Sequence, residues 1–363
     1  MDENARAEFR KRWRRALGFE VDGPFLLAPM MGVTTPAFQA LCRSRGAATT
    51  CAPMIFLDRL VAGGVDAAGF VGADLVPAPV GVQLAGDDPA LVGPALDALS
   101  SLRFDFLDLN AACPAKRELG RGVGGALLRR PKRLAEVLEA LVKHSPVPVT
   151  LKIRTGFDSP AEPEFRRVLA VLENAPVAAV FVHGRSVVQN YRVASDPAAV
   201  GVVVRRLSTP ERVVVGNGDV VDARSAAELV ERSGCDGVLV GRAAIGNPFA
   251  FSELDAPRSL GNRKPPSPRE VSEEFLRFLR LTLDEGHPKR CGLAALRAQL
   301  AHFTRGFRGA RNLRRAISRL GSVEAIEEFA SQLPDLTEQG PSAGAAARLG
   351  AGKEDEKRGK GRE

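Results

Sequence analysis

The sequence has few cysteines, and none of them are paired at short spacing. Cys42, Cys51, Cys113, Cys235 and Cys291 are scattered, odd in number and without a C-x-x-C pair. Disulfide frameworks and structural zinc sites both depend on closely spaced cysteines. The pattern therefore argues against a disulfide-stapled secreted domain, and we expect no metal site.

Long apolar runs are also missing from the sequence. No run is long enough to cross a bilayer, and no charged segment precedes an apolar leader with a small-residue cleavage site. We therefore expect a cytoplasmic protein without membrane contact. A GxxxxGK[ST] loop is absent as well, which excludes a P-loop nucleotide site.

Acidic residues are outnumbered by basic ones. The chain contains 51 Lys and Arg residues against 43 Asp and Glu, a formal net charge of +8. An excess of this kind suggests a polyanionic partner, but where the charge lies along the chain matters more.

From Pro24 onward, short apolar runs alternate with amphipathic helical patterns such as Pro131–His144 and Asp222–Ser233. The runs are continuously apolar, as parallel strands buried on both faces must be. Eight such runs separated by helices predict an α/β fold, a (β/α)8 barrel. The runs are Phe25–Ala28, Thr50–Ile55, Val80–Leu84, Phe104–Leu109, Val147–Lys152, Ala179–His183, Val213–Asn217 and Gly237–Gly241.

The composition divides the chain into five parts. We expect a basic N-terminal helix over 1–20, the barrel over 21–255 and a Pro- and Gly-rich linker over 256–268. Residues 269–334 have helical periodicity without strand patterns, which predicts a small all-helical domain. Residues 335–363 are rich in Ala, Gly, Lys and Glu and are predicted to be disordered.

Two segments are strongly basic. The first is the N-terminal helix, which could contact a polyanion, although we favour a helix that packs Trp13 on the main domain. The second is Pro288–Arg319, which has no acidic residue and includes Phe303 and Phe307. Guanidinium groups interspersed with aromatic rings suit nucleic-acid phosphates and bases, and we favour this over a solvated helix face. The arginines central to this hypothesis are Arg305, Arg308, Arg311, Arg314 and Arg315.

The stretch Phe104–Gly125 is the most distinctive. A buried strand runs into Asn110 and then Cys113, and a loop rich in glycine and basic residues follows. The carboxyl end of a barrel strand is where such folds place their chemistry. A lone cysteine is more often a small buried apolar residue, so position alone leaves both interpretations of Cys113 open.

The other strands also end in polar residues or glycine. Each has a structural explanation by itself, but together they put cations, amides and glycines at one end of one barrel. Gly216, Gly218 and Gly241 lie near the last two strands, where barrels bind phosphate through backbone N–H groups. A phosphate there, with Lys152 near the middle and Gln83 opposite, would suit FMN.

Together these motifs resemble those of the tRNA-dihydrouridine synthases, flavin enzymes with an FMN-binding barrel and a C-terminal helical tRNA-binding domain. The resemblance extends over about Pro24–Leu333. It is carried, in the family's order, by Leu27–Thr34, Val82–Gly86, Asp108–Lys116, Lys152–Arg154, Val182–Arg185, Asn217–Asp219, Gly237–Arg242 and Gly246–Pro248. Three positions depart from the family's usual residues: Met31 replaces Ala, Thr35 replaces Asp, and Ala112 replaces the Gly before the cysteine.

The resemblance implies a mechanism in which hydride passes from reduced flavin to C6 of a uracil and Cys113 protonates C5. It also implies that Asn110, Arg185 and Lys116 contact the substrate, and that Lys152 stabilises the reduced flavin. NADPH or NADH is implied as the diffusible electron donor, and tRNA as the partner of a monomer with no protein partner. The implied FMN contacts are Pro29, Met30, Met31, Gln83, Lys152, His183, Asn217, Gly218, Asp219, Gly241 and Arg242.

Two alternatives stay open. One is an FMN barrel that acts on a free pyrimidine, like a dihydroorotate dehydrogenase, which would need no basic helical domain. The other is a non-catalytic RNA-binding protein, for which Cys113 and Lys152 would have no use.

Overall fold

The computed structural model describes residues 3–72, 74–255, 265–284 and 292–338. These residues form two compact units. The first reaches Ala244 and includes residues 248–255, and the second contains residues 245–247 and the residues described after 264. Most of the predicted linker, 256–268, lies outside the described residues, and so does Cys291.

Eight parallel strands form the centre of the first unit. They are β1 (Phe25–Leu27), β2 (Thr50–Phe56), β3 (Val80–Ala85), β4 (Phe106–Ala111), β5 (Val149–Arg154), β6 (Ala179–His183), β7 (Val213–Asn217) and β8 (Gly237–Val240). The order in the sheet is β1-β8-β7-β6-β5-β4-β3-β2. Leu27 N donates to Thr49 O at 3.0 Å and Ala48 N donates to Phe25 O at 2.8 Å. These bonds join β1 to the residues just before β2, so the sheet curls round to meet itself, and the predicted barrel is confirmed.

Helices cover the outside of the sheet. Helix α7 spans Pro131–His144, the range that the sequence predicts. Proline at its first position needs no N–H partner, and Leu134, Val137, Leu138 and Leu141 form a buried stripe at helical spacing. The other helices of this unit are α1 (Glu3–Leu17), α2 (Pro36–Ser44), α3 (Leu57–Val61), α4 (Ala67–Val71), α5 (Val92–Asp97), α6 (Lys116–Gly120), α8 (Pro163–Asn174), α9 (Pro197–Leu207), α10 (Ala223–Ser233) and α11 (Ala250–Asp255).

Helix α1 closes the amino end of the barrel. Phe9, Trp13 and Leu17 are buried in a cluster with Phe106, the first residue of β4. A Cβ on Gly237, the first residue of β8, would lie 2.7 Å from the Phe9 ring, so glycine lets the helix approach the strands. Trp13 is completely buried, and burial of this size makes α1 part of the barrel core.

The second unit is helical. Its aromatic core contains Phe275, Phe278 and Phe303, whose ring centroids lie 5.4–6.2 Å apart. Ser272 Oγ donates to Ala330 O at 2.6 Å and ties the first of these helices to the fourth. The helices are α12 (Pro268–Asp284), α13 (Leu293–Phe303), α14 (Ala310–Ile317), α15 (Val323–Ser331) and α16 (Leu333–Glu338).

The end of the helical unit differs from the sequence prediction. Helix α16 runs to Glu338, so residues 335–338, which we assigned to the disordered tail, are helical. Pro334 is compatible with this helix because it lies in the first turn, where no N–H partner is needed. Leu333 is fully buried and anchors the helix. The rest of the predicted tail lies outside the described residues. Among the residues that are described, no helix is long and apolar enough to span a bilayer.

Candidate active site

Polar residues of neighbouring strands meet at the carboxyl end of the barrel. Strand pairing puts Gln83 of β3 beside Asp108 of β4, and it puts Asn110 beside Lys152 of β5. Alternate residues of a strand share a face, so Asp108 and Asn110 point the same way. The register thus gathers an amide, a carboxylate, a second amide and a lysine in one place.

The backbone at Cys113 is held by the side chain of Asn110. Asn110 Oδ1 accepts hydrogen bonds from Ala112 N at 3.0 Å and from Cys113 N at 2.9 Å. Asn110 Nδ2 donates to Gln83 Oε1 at 2.8 Å. Ala112, which departs from the glycine usual in the family, is buried and has no positive φ, so alanine is compatible with this turn.

The glycine-rich loop after Cys113 is packed against it. Gly125 N donates to Cys113 O at 3.0 Å, and Gly124 has a φ of +62°. A Cβ on Gly124 would lie 3.0 Å from Cys113 Cβ, and one on Gly125 would lie 2.6 Å from Val187 Cγ2. These glycines are required for close approach, and Lys116, at the start of α6, is exposed to solvent.

The Cys113 thiol is half-buried and tends to stay protonated. Burial is the main cause that raises its pKa, and the charge of Glu118 raises it further. A hydrogen bond from the backbone of Ala115 and the charges of Lys152 and Arg154 act in the opposite direction. A thiol that keeps its proton at neutral pH can act as a proton donor.

Lys152 is partly exposed and makes no hydrogen bond or salt bridge with the described residues. Burial and the nearby Arg154 lower its pKa to about 8, and the charge of Asp108 partly offsets this. At pH 7 the side chain is still mostly a cation. A cation without a protein partner in a polar site can bind an anionic ligand.

The guanidinium of Arg154 is buried beneath the cysteine loop. Its Nε donates to Ala112 O at 2.9 Å, and its Nη1 donates to Ser186 O at 3.0 Å and to Asn190 O at 3.3 Å. Arg154 is only 2% exposed. Arg154 therefore ties the cysteine loop to the loop that follows β6. The sequence did not indicate this structural role.

Arg185, which we expected to contact the substrate, is also enclosed by the protein. Its Nε donates to Val193 O at 2.6 Å, its Nη2 donates to Asp219 Oδ2 at 2.5 Å, and its Nη1 lies 3.3 Å from His183 Nε2. The side chain is 4% exposed. These bonds orient the guanidinium and leave little of it open to a substrate.

His183 and Asn217 are fixed by a chain of hydrogen bonds. Asn217 Nδ2 donates to Leu239 O at 2.6 Å, so its Oδ1 faces His183 Nδ1, 2.6 Å away. That arrangement places the proton of the imidazole on Nδ1. Burial, followed by the charges of Lys152 and Arg154, lowers the pKa of His183 well below its usual value. His183 is therefore neutral at pH 7.

Four residues follow the ends of β7 and β8 with backbone N–H groups that lack an acceptor in the described part of the chain. Within the described residues, the N–H groups of Gly218, Asp219, Gly241 and Arg242 have no protein acceptor. A Cβ on Gly241 would meet nothing closer than 3.9 Å, at Ala28 Cβ and Met30 Sδ, so there is space for a ligand beside it. This is the position at which barrels bind phosphate.

Gly218 is glycine for a different reason. Its φ is +138°, and a Cβ there would lie 2.0 Å from Ser195 Oγ. The residue is therefore required by packing against the loop after β6. Ser195 Oγ itself is a buried atom without a hydrogen-bond partner among the residues that the structure describes.

Asp219 holds two arginines at the mouth of the barrel. Its Oδ2 accepts from Arg185 and from Ser195 N, and its Oδ1 accepts from Arg242 Nη2 at 2.5 Å. Burial tends to raise the pKa of Asp219, but the hydrogen bonds of Arg185 and Ser195 N outweigh it and the pKa is lowered. The sequence predicts Asp219 to be a cofactor contact, whereas its carboxylate is bonded to protein groups.

The loop after β1 contributes Pro29, Met30 and Met31. Met30 N donates to Thr34 Oγ1 at 2.9 Å, and Thr34 Oγ1 donates back to Met30 O at 3.1 Å, which closes a tight turn. Pro29 and Met30 are partly exposed and Met31 is 53% exposed. An apolar surface of this kind can line a ring-shaped ligand.

Tyr191 is a residue of this site that the sequence analysis did not identify. Its ring centroid lies 4.5 Å from Arg242 Cζ, 5.5 Å from Arg154 Cζ and 5.8 Å from Arg185 Cζ, and half of the residue is exposed. Tyr191 is the one tyrosine in the chain. A lone tyrosine in the segment after a barrel strand is the feature of the sequence that could have identified it as a site residue.

The basic face of the helical unit differs from the barrel mouth. Helix α14 buries Leu313, Ala316 and Ile317 on one side. All five arginines of the hypothesis are exposed and form no ion pair with the described residues: Arg305, Arg308, Arg311, Arg314 and Arg315.

The arginines of α1, in contrast, are paired with carboxylates. Arg14 bonds Glu20 at 2.8 Å, and Arg10 bonds Glu3 at 3.0 Å. Arg6, Arg12 and Arg15 pair with Asp255, Asp236 and Glu211. The helix therefore fits the interpretation that it packs on the main domain better than contact with a polyanion. Among the described residues no cluster of His, Cys, Asp and Glu could hold a metal ion.

Comparison with solved structures bears on the fold. The chain matches morphinone reductase, crystallised as a mutant with tetrahydroNAD, with a TM-score of 0.52 over 71% of this chain and 92% of that one, at 12% identity. It also matches a 6-hydroxypseudooxynicotine amine oxidase from Pseudomonas geniculata with a TM-score of 0.53 over 74% of this chain and 53% of that one, at 14% identity.

Comparison of sequences bears on the family. The model of the family described as dihydrouridine synthase (Dus) matches residues 26–337. The tRNA-dihydrouridine synthase B of Pseudomonas aeruginosa is 32% identical over 83% of this chain and 89% of its own length. A probable tRNA-dihydrouridine synthase of Rhodobacter capsulatus is 34% identical over 65% of this chain and 72% of its own length. The chain belongs to the dihydrouridine synthase family.

Proposed function

We propose that this protein reduces uridine in tRNA to 5,6-dihydrouridine, with FMN as its cofactor and Cys113 as its general acid. The observation that carries the proposal is the meeting of two groups at one barrel end: a thiol that tends to stay protonated and a lysine that makes no hydrogen bond or salt bridge with the described residues. Membership of the family favours tRNA over the free pyrimidine of the alternative hypothesis. The same two groups argue against a non-catalytic RNA-binding protein.

The residues present fit FMN. The N–H groups of Gly218, Asp219, Gly241 and Arg242, which have no acceptor among the described residues, would hold its phosphate. Lys152 would hold the negative charge of the reduced ring, and the partly exposed Pro29 and Met30 would line its surface. Gln83 faces the same space, although its amide is bonded to Asp108 and Asn110. His183, Asn217 and Asp219 would act by shaping this end of the barrel.

When bound, reduced FMN supplies the hydride that uracil accepts at C6. Cys113 then gives its proton to C5, and water restores the thiol. Asn110 orients this donor because it binds the N–H of Cys113 at 2.9 Å. Lys116 and Arg185 stand as proposed substrate contacts. Arg185 would act mainly by ordering the loop after β6, because its donors are bonded within the protein.

The electron donor and the RNA contacts are further parts of the proposal. We expect NADPH, or NADH, to reduce the flavin from solution, and we expect the monomer to work in the cytoplasm, where tRNA is found. The exposed arginines at 305, 308, 311, 314 and 315 would bind tRNA phosphates.

The test is direct. Purified protein reconstituted with FMN is incubated with NADPH and a tRNA transcript that lacks modifications, and the nucleosides are analysed by mass spectrometry. We expect a uridine that has gained two hydrogens, at one or a few positions. Reduction of free uridine or orotate but not of tRNA would favour the free-pyrimidine alternative. Protein that cannot bind FMN would refute the cofactor assignment.

A further inference from the structure

Asp108 is a buried carboxylate in the candidate site that the proposed reaction does not use. It lies in β4, two residues before Asn110, and is 1% exposed. Its Oδ2 accepts a hydrogen bond from Gln83 Nε2 at 2.8 Å, and its Oδ1 accepts one from Thr150 Oγ1 at 2.8 Å. Burying a carboxylate is costly, so a group in this position needs an explanation.

The hydrogen bonds continue from Asp108 to the cysteine. Gln83 donates to Asp108 and accepts from Asn110 Nδ2 at 2.8 Å. Asn110 in turn accepts from the N–H groups of Ala112 and Cys113. A buried relay of two amides thus connects the carboxylate of Asp108 to the backbone of Cys113.

The backbone N–H groups at one end determine the direction of every bond in the relay. The backbone N–H groups can only donate, so Asn110 must present its oxygen to them and its NH2 to Gln83. Gln83 must then present its oxygen to Asn110 and its NH2 to residue 108. Residue 108 must therefore be an acceptor, because a donor there would face another donor.

We propose that Asp108 is a positioning residue, whose buried carboxylate fixes the orientation of the Gln83 and Asn110 amides and so holds Cys113 in place. The inference rests on the proposed function for its effect on turnover, but its effect on the thiol can be measured without turnover. Burial raises the pKa of Asp108 to about 6, against hydrogen bonds that lower it, so the carboxylate is ionised at pH 7 and both oxygens can accept.

Two substitutions separate orientation from charge. Asp108→Asn removes the charge but keeps an acceptor, because its oxygen can face Gln83 while its NH2 faces Thr150. Thr150 Oγ1 can accept that hydrogen bond, since it can donate its own proton to Leu107 O, 3.4 Å away. Asp108→Ala removes the acceptor and leaves Gln83 Nε2 without the carboxylate to which it donates. Asp108→Val is a second variant of this kind in case the alanine variant does not fold.

Asp105 offers a matched control. It lies just before β4, at the opposite end of the barrel, and its Oδ2 accepts from Val80 N at 2.8 Å. Asp105→Ala thus removes an aspartate that also binds a β3 residue, without touching the relay. A general loss of stability would affect both alanine variants.

The experiment measures kcat and KM for tRNA, together with the rate at which iodoacetamide alkylates Cys113 in the FMN-loaded protein. Mass spectrometry of the tryptic peptide 104–116 reports that thiol alone. For Asp108→Ala we expect kcat to fall about 10–100-fold with KM within about twofold, as misplacement of a reacting group implies. We expect alkylation of Cys113 to become about tenfold faster, because thiol reactivity follows exposure.

Asp108→Asn should restore both values to within about threefold of wild type, and Asp105→Ala should leave both within about twofold. Equal losses in Asp108→Asn and Asp108→Ala would overturn the proposal in favour of a charge effect on Lys152. Unchanged alkylation and kcat in Asp108→Ala, or in Asp108→Val, would also overturn it. If the wild type made no dihydrouridine, the alkylation rates would still decide whether Asp108 holds Cys113.

Discussion

Two groups of arginines in this protein have opposite surroundings. At the barrel mouth, Arg154 and Arg185 are buried, and carbonyl, carboxylate or imidazole acceptors bind their N–H groups. In the helical unit, Arg311 and Arg314 are exposed and form no ion pair with the described residues. The same side chain thus orders loops in one unit and is available to a polyanion in the other.

The difference suggests a division of roles, with catalysis in the barrel and tRNA binding in the helical unit. Groups that must be placed accurately, such as the Cys113 backbone, are bound by buried partners whose own positions are fixed. Groups that bind phosphate need net charge and solvent access more than they need a fixed geometry. The comparison predicts that substitutions in the barrel change rates, whereas substitutions on the helical face change affinity and its salt dependence.

The largest expected effect is that of Cys113→Ala. The variant should bind FMN and tRNA as the wild type does, because its backbone hydrogen bonds are unchanged. Turnover should fall about 10²–10⁴-fold, the usual contribution of a general acid. Single-turnover assays of dihydrouridine formation measure this loss. More than half of the wild-type rate in the variant would mean that another group donates the proton.

Arg154→Ala should have the next largest effect. It leaves the carbonyl of Ala112 and two carbonyls of the loop after β6 without their donor, at a cost of about 1–3 kcal/mol in the free energy of unfolding. The looser cysteine loop should slow turnover by about tenfold or more. Denaturant unfolding and the single-turnover rate measure the two effects. A stable variant with the wild-type rate would show that Arg154 is a surplus cation, like those of the helical unit.

Raising the pH should have a smaller and gradual effect, which is best measured on FMN binding. Burial raises the pKa of Cys113, so the thiol should keep its proton to higher pH than free cysteine. The pKa of Lys152 is lowered to about 8, so in flavin-free protein its cation is lost as pH rises through that value. Binding of anionic flavin to flavin-free protein should therefore weaken above about pH 8. Fluorescence titration with FMN at several pH values measures this, and Lys152→Ala should abolish the dependence. Affinity that rises with pH would contradict the role of Lys152.

Replacing Arg311 and Arg314 together with alanine should leave the chemical rate unchanged and reduce the salt dependence of tRNA binding. Each lost phosphate contact lowers the slope of log affinity against log salt by about 0.7–0.9. The matched control is Arg10→Ala with Arg14→Ala on α1, where both arginines are paired with glutamates, so the slope should stay the same. If the α1 pair changed the slope and the α14 pair did not, the assignment of the RNA-binding surface would be wrong.

The sequence predicted the fold well because its signals are local. Helix α7 has its predicted bounds since Pro131 fixes its start and an apolar stripe runs through it. The strands were recognisable because they are buried on both faces and therefore continuously apolar. The boundary at Pro334 was misplaced because the tail was assigned from its composition, whereas residues 335–338 continue a short helix that has Pro334 in its first turn.

The site was predictable in position but not in connectivity. Asn110 and Lys152 lie in the second halves of β4 and β5 and belong to family motifs, which marked them as candidates in the sequence. Whether a cation is free or enclosed depends on partners far away in the chain, as between Arg185 and Asp219. The role of Asp108 depends on the register between β3 and β4, which hydrophobic patterns and motifs do not specify.

The most direct test of this division is one tRNA titration of single-turnover rates, performed on wild type, on Cys113→Ala and on Arg311→Ala with Arg314→Ala. Cys113→Ala should lower the rate at saturating tRNA and leave the tRNA concentration at half-saturation unchanged. The double variant should raise the tRNA concentration at half-saturation and reach the wild-type rate. A double variant that loses the saturating rate, or a Cys113→Ala variant that loses only affinity, would contradict the separation of catalysis from tRNA binding.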